Sequence, residues 1–157
     1  MRVKIMSRRA IEEYCAIPMM EKTAIISICD YGDESAFLLF KPDYLLQLAF
    51  DDVDSDVFED ELDTQYTDND VLRIEKRYHM FSEEQASQVA SFVKNVWDKV
   101  DVLICQCEHG QSRSAAIAAA IREYMFSDGI DIFADERYYP NKFIYRRVMS
   151  KLNEVDG

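Results

Sequence analysis

A short apolar strand, a loop bounded by a cysteine and an arginine, and an alanine-rich helix follow one another in the second half of the chain. Residues 102–104 predict a buried strand, and residues 115–121 predict a buried helix. Cys107 ends the strand and Arg113 stands in the first turn of the helix, with five residues between them. This order favours an α/β fold in which the loop lies at the end of a strand.

The backbone and side chains of this loop suit a tetrahedral oxyanion. A tight turn ahead of a helix points backbone N–H groups inward, and the amino end of the helix adds its partial positive charge. The planar guanidinium of Arg113 can hold two oxygens at once. The same field favours the thiolate of Cys107, which is the nucleophilic form. The sequence therefore predicts one site that binds a phosphate group and attacks its phosphorus atom.

The loop residues are Cys107, Glu108, His109, Gly110, Gln111, Ser112, Arg113 and Ser114. They resemble the active-site loop of the cysteine-dependent protein tyrosine phosphatase superfamily, C-x5-R-[S/T], and most of all that of its small dual-specificity-like and bacterial members. The resemblance implies that Cys107 is the nucleophile, that residues 108–113 bind the phosphate, and that the Ser114 hydroxyl assists departure of the thiolate. It also implies a tyrosine-phosphatase-like fold and hydrolysis through a cysteinyl-phosphate intermediate.

A phosphatase of this type uses an aspartic acid, on a loop after a strand, to protonate the leaving oxygen. Asp51 and Asp52 directly follow the apolar run 45–50. The spacing of the family from the start of that strand favours Asp52, and Asp51, Asp54 and Asp56 remain alternatives.

The acidic segment 51–70 leaves a second possibility open. Asp52 precedes Cys107 by 55 residues, which is a longer interval than the family usually has. An exposed acidic loop or insertion at 51–70 would explain the excess. Without an insertion the acid would be Asp68 or Asp70, which lie 39 and 37 residues before the cysteine.

Three residues around the nucleophile set further expectations. Gln106 stands where the family usually has a histidine, and a neutral amide cannot supply the positive charge that favours a thiolate. His109 compensates only if its ring turns inward, whereas a loop histidine is more often exposed. Glu108 is expected to face solvent, where it can pair with basic residues of a substrate.

The charge of the chain limits its partners. There are 18 Lys and Arg against 30 Asp and Glu, a formal net charge of -12, which disfavours nucleic acid and anionic membranes. Ten carboxylates and no basic residue lie in the segment 51–70. The expected partner is a phosphorylated protein or peptide, with small phosphomonoesters not excluded, and a phosphotyrosine with basic flanking residues would be repelled least.

The cysteine content indicates a reducing compartment. Four cysteines show neither zinc spacing nor a dense disulfide pattern. With no apolar run of about 18 residues and no signal-peptide-like stretch, a cytoplasmic protein is expected. No cofactor and no metal are expected. Cys29, at the end of a predicted strand, is favoured over Cys105 as a thiol that captures oxidised Cys107, unless both are ordinary buried cysteines.

Elsewhere, predicted strands alternate with predicted helices. Strands are predicted near Val3, at 24–28 and at 45–50. For residues 71–77 the pattern predicts either a short strand or a hairpin arm. Helices are predicted at 8–15 and in stretches that begin at Ser82 and near Asn141. This alternation predicts an α/β fold, with a central mixed, partly parallel sheet flanked by helices, in a single domain over 1–157.

Two other functions use a similar loop. A pseudophosphatase keeps Cys107 and Arg113 and binds phosphate without a working acid. A rhodanese-like sulfur carrier also places a cysteine in a phosphate-sized loop, but the acid-bearing strand end and Ser114 favour a phosphatase.

Overall fold

The computed structural model describes residues 1–154. In chain order the elements are β1 (Arg2–Met6), α1 (Arg8–Tyr14), β2 (Thr23–Cys29), β3 (Tyr44–Ala49), α2 (Asp56–Glu61), α3 (Asp68–Arg77), α4 (Glu83–Val96), β4 (Val102–Gln106), α5 (Arg113–Phe126), α6 (Ile130–Ala134) and α7 (Lys142–Leu152). No helix within 1–154 is long and apolar enough to cross a lipid bilayer.

The four strands form one sheet in the order β1-β4-β2-β3. All three pairings are parallel. The predicted α/β fold with a helix-flanked sheet is confirmed, and the pairing is parallel throughout where a mixed sheet was expected.

Alternating side chains along the strands divide the core into two layers. Ala24, Ile26 and Ile28 on β2 face the larger layer, which α4, α5 and α7 cover. Ile25 and Ile104 face the opposite layer, where α1 packs. Because both faces are covered, β2 and β4 are buried along their whole length and read as continuous apolar runs.

Side-chain caps fix where three of the helices begin. The Ser82 hydroxyl accepts from the Gln85 N–H, and the Gln85 side chain accepts from the Ser82 N–H, so the predicted capping box is formed. Oδ1 of Asn141 accepts from the Ile144 N–H at the start of α7. Ser7 caps α1 in the same way. These three predicted helix starts are confirmed.

The acidic segment contains helices that the sequence did not predict. Helix α2 lies inside 51–70, and α3 covers residues 71–77, which were expected as a strand or hairpin arm. Thr67 and Asp70 form the capping box of α3, and Ile74 is its buried residue. The expected exposed loop is therefore a mostly exposed segment that holds one helix and the start of another.

Parallel pairing sends the carboxyl ends of all four strands to one edge of the sheet. The stretches that follow there are residue 7 after β1, 30–33 after β2, 50–54 after β3 and 107–112 after β4. Ligand sites of parallel sheets form outside this edge. The predicted loop and the predicted acid both lie on it.

A largely buried ion pair joins α3, α4 and α7. The Arg147 guanidinium on α7 donates to Glu75 on α3 and to the Phe81 carbonyl at 3.0 Å, and it lies 3.2 Å from the Glu83 carboxylate. It also lies 4.4 Å from the centroid of the Phe143 ring. The Arg147 and Glu75 side chains are only 15% and 11% exposed. Each charge therefore depends on the other for its stabilisation.

Replacing Arg147 by methionine should destabilise the fold markedly. Breaking a buried pair from one side costs about 3–5 kcal/mol, and the partial exposure here favours the lower end of that range. At about 2–4 °C per kcal/mol, Tm should fall by roughly 6–12 °C. Thermal and urea unfolding followed by circular dichroism measures this. Arg146→Met, at the exposed neighbouring position, is the matched control and should change stability by less than about 0.5 kcal/mol. Equal effects of the two substitutions would contradict the stabilising role given to the ion pair between Arg147 and Glu75.

Candidate active site

The loop 107–112 runs from β4 to α5 and is pressed against the start of α1. The Cys107 N–H donates to the last carbonyl of β1 at 3.3 Å, and the Glu108 carbonyl accepts from the Arg8 N–H at 3.0 Å. Gly110 has a φ of 68°, in the left-handed region that glycine tolerates. A Cβ there would lie 2.7 Å from the backbone nitrogen of Ser7. Glycine is therefore required by both conformation and space.

Two carbonyls of the loop accept hydrogen bonds from other parts of the chain, whereas the N–H groups that directly follow Cys107 make none within the described residues. The Gln111 carbonyl accepts from the Tyr139 N–H at 2.8 Å, and the Ser112 carbonyl accepts from the Ala116 N–H at 2.9 Å. By contrast, no N–H group of residues 108–112 donates a hydrogen bond to any group within 1–154. Five consecutive donors of this kind, ahead of a helix, suit an oxyanion.

The sulfur of Cys107 lies at the amino end of α5. Cys107 is 2% exposed, and its Sγ lies 3.1 Å from the Ser114 Oγ. The Ser114 N–H donates to the same sulfur at 3.5 Å. Helix α5 has no side-chain cap, because the Ser112 hydroxyl bonds elsewhere. The sulfur and the unpaired N–H groups thus share the positive end of the helix, an arrangement that stabilises anions.

Gln106 is fully buried and hydrogen-bonded at both ends of its amide. The Ser27 hydroxyl donates to its Oε1 at 2.5 Å, and its Nε2 donates to the Cys107 carbonyl at 3.1 Å. The side chain therefore fixes the backbone of the cysteine without bringing a charge to it.

The buried guanidinium of Arg113 is held at one nitrogen. Nη1 lies 2.7 Å from Oδ1 of Asp30 and donates to the Phe50 carbonyl at 2.8 Å. The Arg113 side chain is 7% exposed. Nε and Nη2 donate no hydrogen bond within the described chain. The planar fork is therefore oriented by two neighbouring loops, with two donors left for a ligand.

Asp52 contacts the loop directly. Its Oδ1 accepts from the Ser112 hydroxyl at 2.9 Å and from Nδ2 of Asn141 at 2.9 Å. The residue is exposed, so solvent can reach it. The structure thus brings the favoured aspartate and the Cys107 loop together.

The alternative aspartates serve other contacts or lie on exposed helix turns. Oδ1 of Asp51 accepts a backbone N–H from the stretch after β2, and Asp54 accepts backbone N–H groups at the starts of α2 and α7. Asp56 and Asp68 stand exposed in the first turns of α2 and α3. Hydrogen bonds from the N-cap residue of α3 lower the pKa of Asp70. Of these candidates, Asp52 is the one that contacts the loop within the described residues.

His109 and Glu108 of the loop differ in their surroundings. His109 is exposed, as predicted for a loop histidine. Glu108 was expected to face solvent, where it could pair with basic residues of a substrate; its side chain is 40% exposed, and its Oε2 lies 3.5 Å from Nη1 of Arg8. The start of α1 thus already occupies this carboxylate.

All four cysteines are free thiols, and all are buried. Burial raises the pKa of the Cys105 thiol. The strand that carries Cys29 is paired with the strand that leads to Cys107. A redox role for Cys29 stays a prediction.

Two residues of this arrangement were not found from the sequence. Asp30 directly follows β2, the neighbour of β4 in the sheet, so the available signal was an acid at the end of a second buried strand. Asn141 was predicted only as a helix start. No local pattern indicates that its amide reaches Asp52, 89 positions away.

Comparisons with known proteins find likeness in structure and none in sequence. No family model matches the chain, and no curated protein matches it. The structure of human DUSP28 has a TM-score of 0.57 at 12% identity, over 96% of this chain and 90% of that chain. Tk-PTP in the active form has a TM-score of 0.48 at 15% identity, over 97% and 91%. A human tyrosine phosphatase-like serine/threonine/tyrosine-interacting protein has a TM-score of 0.45 at 17% identity, over 82% and 74%.

The likeness to DUSP28 extends over nearly the whole of both chains. It therefore includes most of the parallel sheet and of the helices on its faces. The chain has the fold of the cysteine-dependent tyrosine and dual-specificity phosphatases.

Proposed function

We propose that this protein is a phosphomonoester hydrolase, a protein tyrosine or dual-specificity phosphatase that acts through a cysteinyl-phosphate intermediate. The observation that carries the proposal is the run of unpaired N–H groups at 108–112 beside the sulfur of Cys107. Donors fixed in this way stabilise charge on phosphate oxygens without reorganising. The four free thiols fit a reducing compartment, so a cytoplasmic location is part of the proposal.

In the first step the Cys107 thiolate attacks phosphorus. The S–P bond forms while the bond from phosphorus to the leaving oxygen breaks, and that oxygen keeps the electron pair. Asp52 gives its proton to this oxygen, so that a neutral alcohol or phenol departs. The place of Asp52 at the edge of the loop, bonded to Ser112, supports this role.

In the second step water attacks the phosphorus of the intermediate. The Asp52 carboxylate takes a proton from the water, the S–P bond breaks, and the sulfur leaves as a thiolate. The Ser114 hydroxyl, 3.1 Å from that sulfur, stabilises the departing negative charge. Inorganic phosphate is the product.

Arg113 holds the phosphoryl group in both steps. Asp30 and the Phe50 carbonyl fix Nη1, which leaves Nε and Nη2 for two phosphate oxygens. Bidentate contact of this kind stabilises the charge that spreads over the equatorial oxygens in the transition state.

A phosphate-binding protein without turnover is the second candidate. The observation that favours it is the neutral Gln106 behind the nucleophile, together with a guanidinium already paired with Asp30. Hydrolysis of p-nitrophenyl phosphate separates the two functions, because its leaving group departs with little help from an acid.

Replacing Cys107 by serine should abolish turnover and preserve anion binding. A serine hydroxyl is a poor nucleophile at neutral pH without a base, whereas the proposed anion donors, the N–H groups of 108–112 and the Arg113 guanidinium, are unchanged by the substitution. Hydrolysis of p-nitrophenyl phosphate and calorimetric titration with phosphate measure the two properties. Cys29→Ser, at a buried cysteine outside the loop, is the control and should retain activity. Substantial turnover by the Cys107→Ser variant would remove this cysteine from the mechanism.

Replacing Asp52 by asparagine should slow hydrolysis of a phosphotyrosine peptide by about 10²–10⁴-fold at neutral pH, the usual contribution of a general acid. The loss should be much smaller with p-nitrophenyl phosphate, and the decline of kcat at alkaline pH should flatten. Steady-state kinetics across pH measures both effects. Asp51→Asn, Asp54→Asn, Asp68→Asn and Asp70→Asn are assayed in parallel. The assignment is wrong if one of them shows the leaving-group-dependent loss and Asp52→Asn does not.

An acidic helix lies beside the proposed acid. Phe58 on α2 contacts Phe143 on α7, with ring centroids 5.9 Å apart, and the N-cap of α7 holds Asp52. Glu59 and Asp60 on α2 are exposed. The proposed substrate is therefore a phosphorylated peptide with basic residues on either side of the phosphorylated one. These basic residues would offset the repulsion between the acidic helix and the phosphate.

A phosphotyrosine peptide with lysine flanks should be a better substrate than the same peptide with glutamate flanks. At low salt we expect a ratio of about tenfold in kcat/KM, which should fall toward one near 1 M salt because charge is then screened within about 3 Å. The double variant Glu59→Gln/Asp60→Asn should lower the ratio. Asp98→Asn, at an exposed position before β4 and so at the other edge of the sheet, should not. A ratio insensitive to salt and to the α2 variant would contradict this substrate preference.

A further inference from the structure

Strand β1 forms one edge of the sheet, where it pairs with β4 alone. The Arg2 N–H and the Met6 carbonyl, at the two ends of β1, are bonded on the β4 side. Successive residues of a strand direct their backbone groups to opposite sides in the plane of the sheet. Those of Val3 and Ile5 therefore point away from β4. Outside the ladder with β4, neither backbone makes a hydrogen bond within residues 1–154.

Two N–H and two carbonyl groups thus form an open row along the outer edge of β1. Such a row is the template on which an extended peptide is added as a further strand. The main-chain bonds of an added strand give affinity, whereas the side chains on either side of it give specificity. The surroundings of β1 therefore determine which sequence the edge can take.

A cleft of about 410 Å³ runs beside this edge. Residues 3–6 of β1 form one wall, and side chains from the end of α5, from α6 and from the segment after α6 form the other. Ile132 and Tyr138 supply apolar surface on the second wall. This space, termed the β1 cleft below, gives an added strand side chains to contact on the side away from β1.

The side chains of β1 determine what suits each position of an added strand. Val3 and Ile5 pack against the larger core layer, to which Ile132 and Tyr138 also belong. Side chains directly opposite each other on paired strands lie on the same face of the sheet. The two residues of an added strand opposite Val3 and Ile5 therefore lie on the face of Ile132 and Tyr138. Apolar side chains suit both positions.

The position between them faces a free cation. Lys4 is exposed, and its ammonium group makes no ion pair or hydrogen bond within the part of the chain that the structure describes. The arginines of the β1 cleft, Arg122 and Arg137, are each paired with an aspartate at 2.7 Å. A residue directly opposite Lys4 has its Cβ about 4.5–5.5 Å away. An acidic side chain suits this position, whereas Asp131 on the second wall disfavours acids at the positions on its side.

A second copy of the chain fits this edge poorly. An antiparallel pair of β1 strands that bonds both Val3 and Ile5 sets Lys4 directly opposite Lys4 of the other copy. A shift of the pair by two residues toward the amino end sets Arg2 opposite Lys4 instead. Like charges directly opposite each other destabilise paired strands. The occupant that suits the charge of this edge is therefore a segment of another protein.

We propose that the outer edge of β1 binds an extended segment of a partner protein as a further strand of the sheet. The side chains of this segment opposite Val3 and Ile5 are apolar, and the one opposite Lys4 is acidic. The backbone groups of Val3 and Ile5 hold the strand, while the β1 cleft and Lys4 select its sequence. The inference does not depend on the proposed catalysis, because none of these residues takes part in it.

The probes that test it are two capped peptides, Ser-Thr-Val-Glu-Val-Thr-Ser and the same peptide with lysine in place of glutamate. NMR titration of the isotope-labelled chain reports the place of binding and the affinity together. We expect the Val3 and Ile5 N–H signals to shift and to exchange more slowly with solvent. The lysine peptide should bind at least about fivefold more weakly. The net charge of -12 attracts the lysine peptide at long range, so a preference for glutamate identifies a local contact.

A substitution and a modified peptide separate strand addition from other binding. Lys4→Glu should reverse the order of the two peptides. Lys22→Glu, at an exposed lysine before β2, changes the net charge equally and should keep the order. Methylating backbone nitrogens of the glutamate peptide one at a time should abolish binding to the unsubstituted protein at alternate positions only, because alternate N–H groups of a strand face its neighbour.

Four results would overturn the inference. Binding of neither peptide at millimolar concentration would mean that Lys4 only protects the edge from pairing. An unchanged order of the peptides in Lys4→Glu would remove the charge contact. Equal loss on methylating every nitrogen would exclude strand addition. Slow exchange of the Val3 and Ile5 N–H groups that depends on protein concentration, without peptide, would identify a second copy as the occupant.

Discussion

The contacts of the Arg113 guanidinium are the interaction on which the geometry of the site depends. Arg113 begins α5 after β4, and its Nη1 contacts Asp30 after β2 and the Phe50 carbonyl after β3. One cation that is almost buried therefore joins the loops of three neighbouring strands. This is possible because all three strands run in the same direction. In an antiparallel sheet, loops that follow adjacent strands lie at opposite edges.

The proposed anion site lies in an acidic molecule, so it must attract an anion through groups that act at short range. The net charge is -12, and Arg8, near the loop, is engaged by Glu108. The unpaired N–H groups of 108–112 and the end of α5 act only within the first turn of the helix. The field of the whole molecule acts over about 10 Å at moderate salt and repels a phosphate. The proposed substrate, with cationic groups around its phosphate, fits both conditions. The loop N–H groups would attract the phosphate at short range, and the cationic groups would offset the repulsion by the net charge at longer range.

The sequence predicted those parts of the fold whose signals are local. The loop between β4 and α5 and the starts of α4 and α7 depend on residues within one turn of each other, such as Ser82 and Gln85. Helix α3 was missed although Thr67 and Asp70 form its capping box, because this signal lies among many carboxylates that favoured a solvated loop. Asp30 and Asn141 were missed for another reason. Their contacts depend on the strand order β1-β4-β2-β3, which no local pattern specifies.

The proposed acid, Asp52, was found partly from a local pattern and partly from a tertiary contact. Family spacing favoured Asp52 and left Asp51, Asp54, Asp68 and Asp70 open, since position along the chain does not determine which carboxylate meets a loop 55 residues later. The hydrogen bond from the Ser112 hydroxyl to Asp52 shows which of these carboxylates contacts the loop. Its catalytic role stays a prediction.

The contacts of Gln106 explain how a neutral residue can stand next to the proposed nucleophile, Cys107. The side chain at 106 must accept from the Ser27 hydroxyl and donate to the Cys107 carbonyl, and the glutamine amide does both. At 1% exposure, an imidazolium with the same contacts would bear the cost of burying a charge. Glutamine avoids that cost and keeps the backbone of the cysteine in place. The proposed mechanism places a negative charge on this sulfur, and the groups that lie on its other side are the Ser114 N–H and the uncapped end of α5.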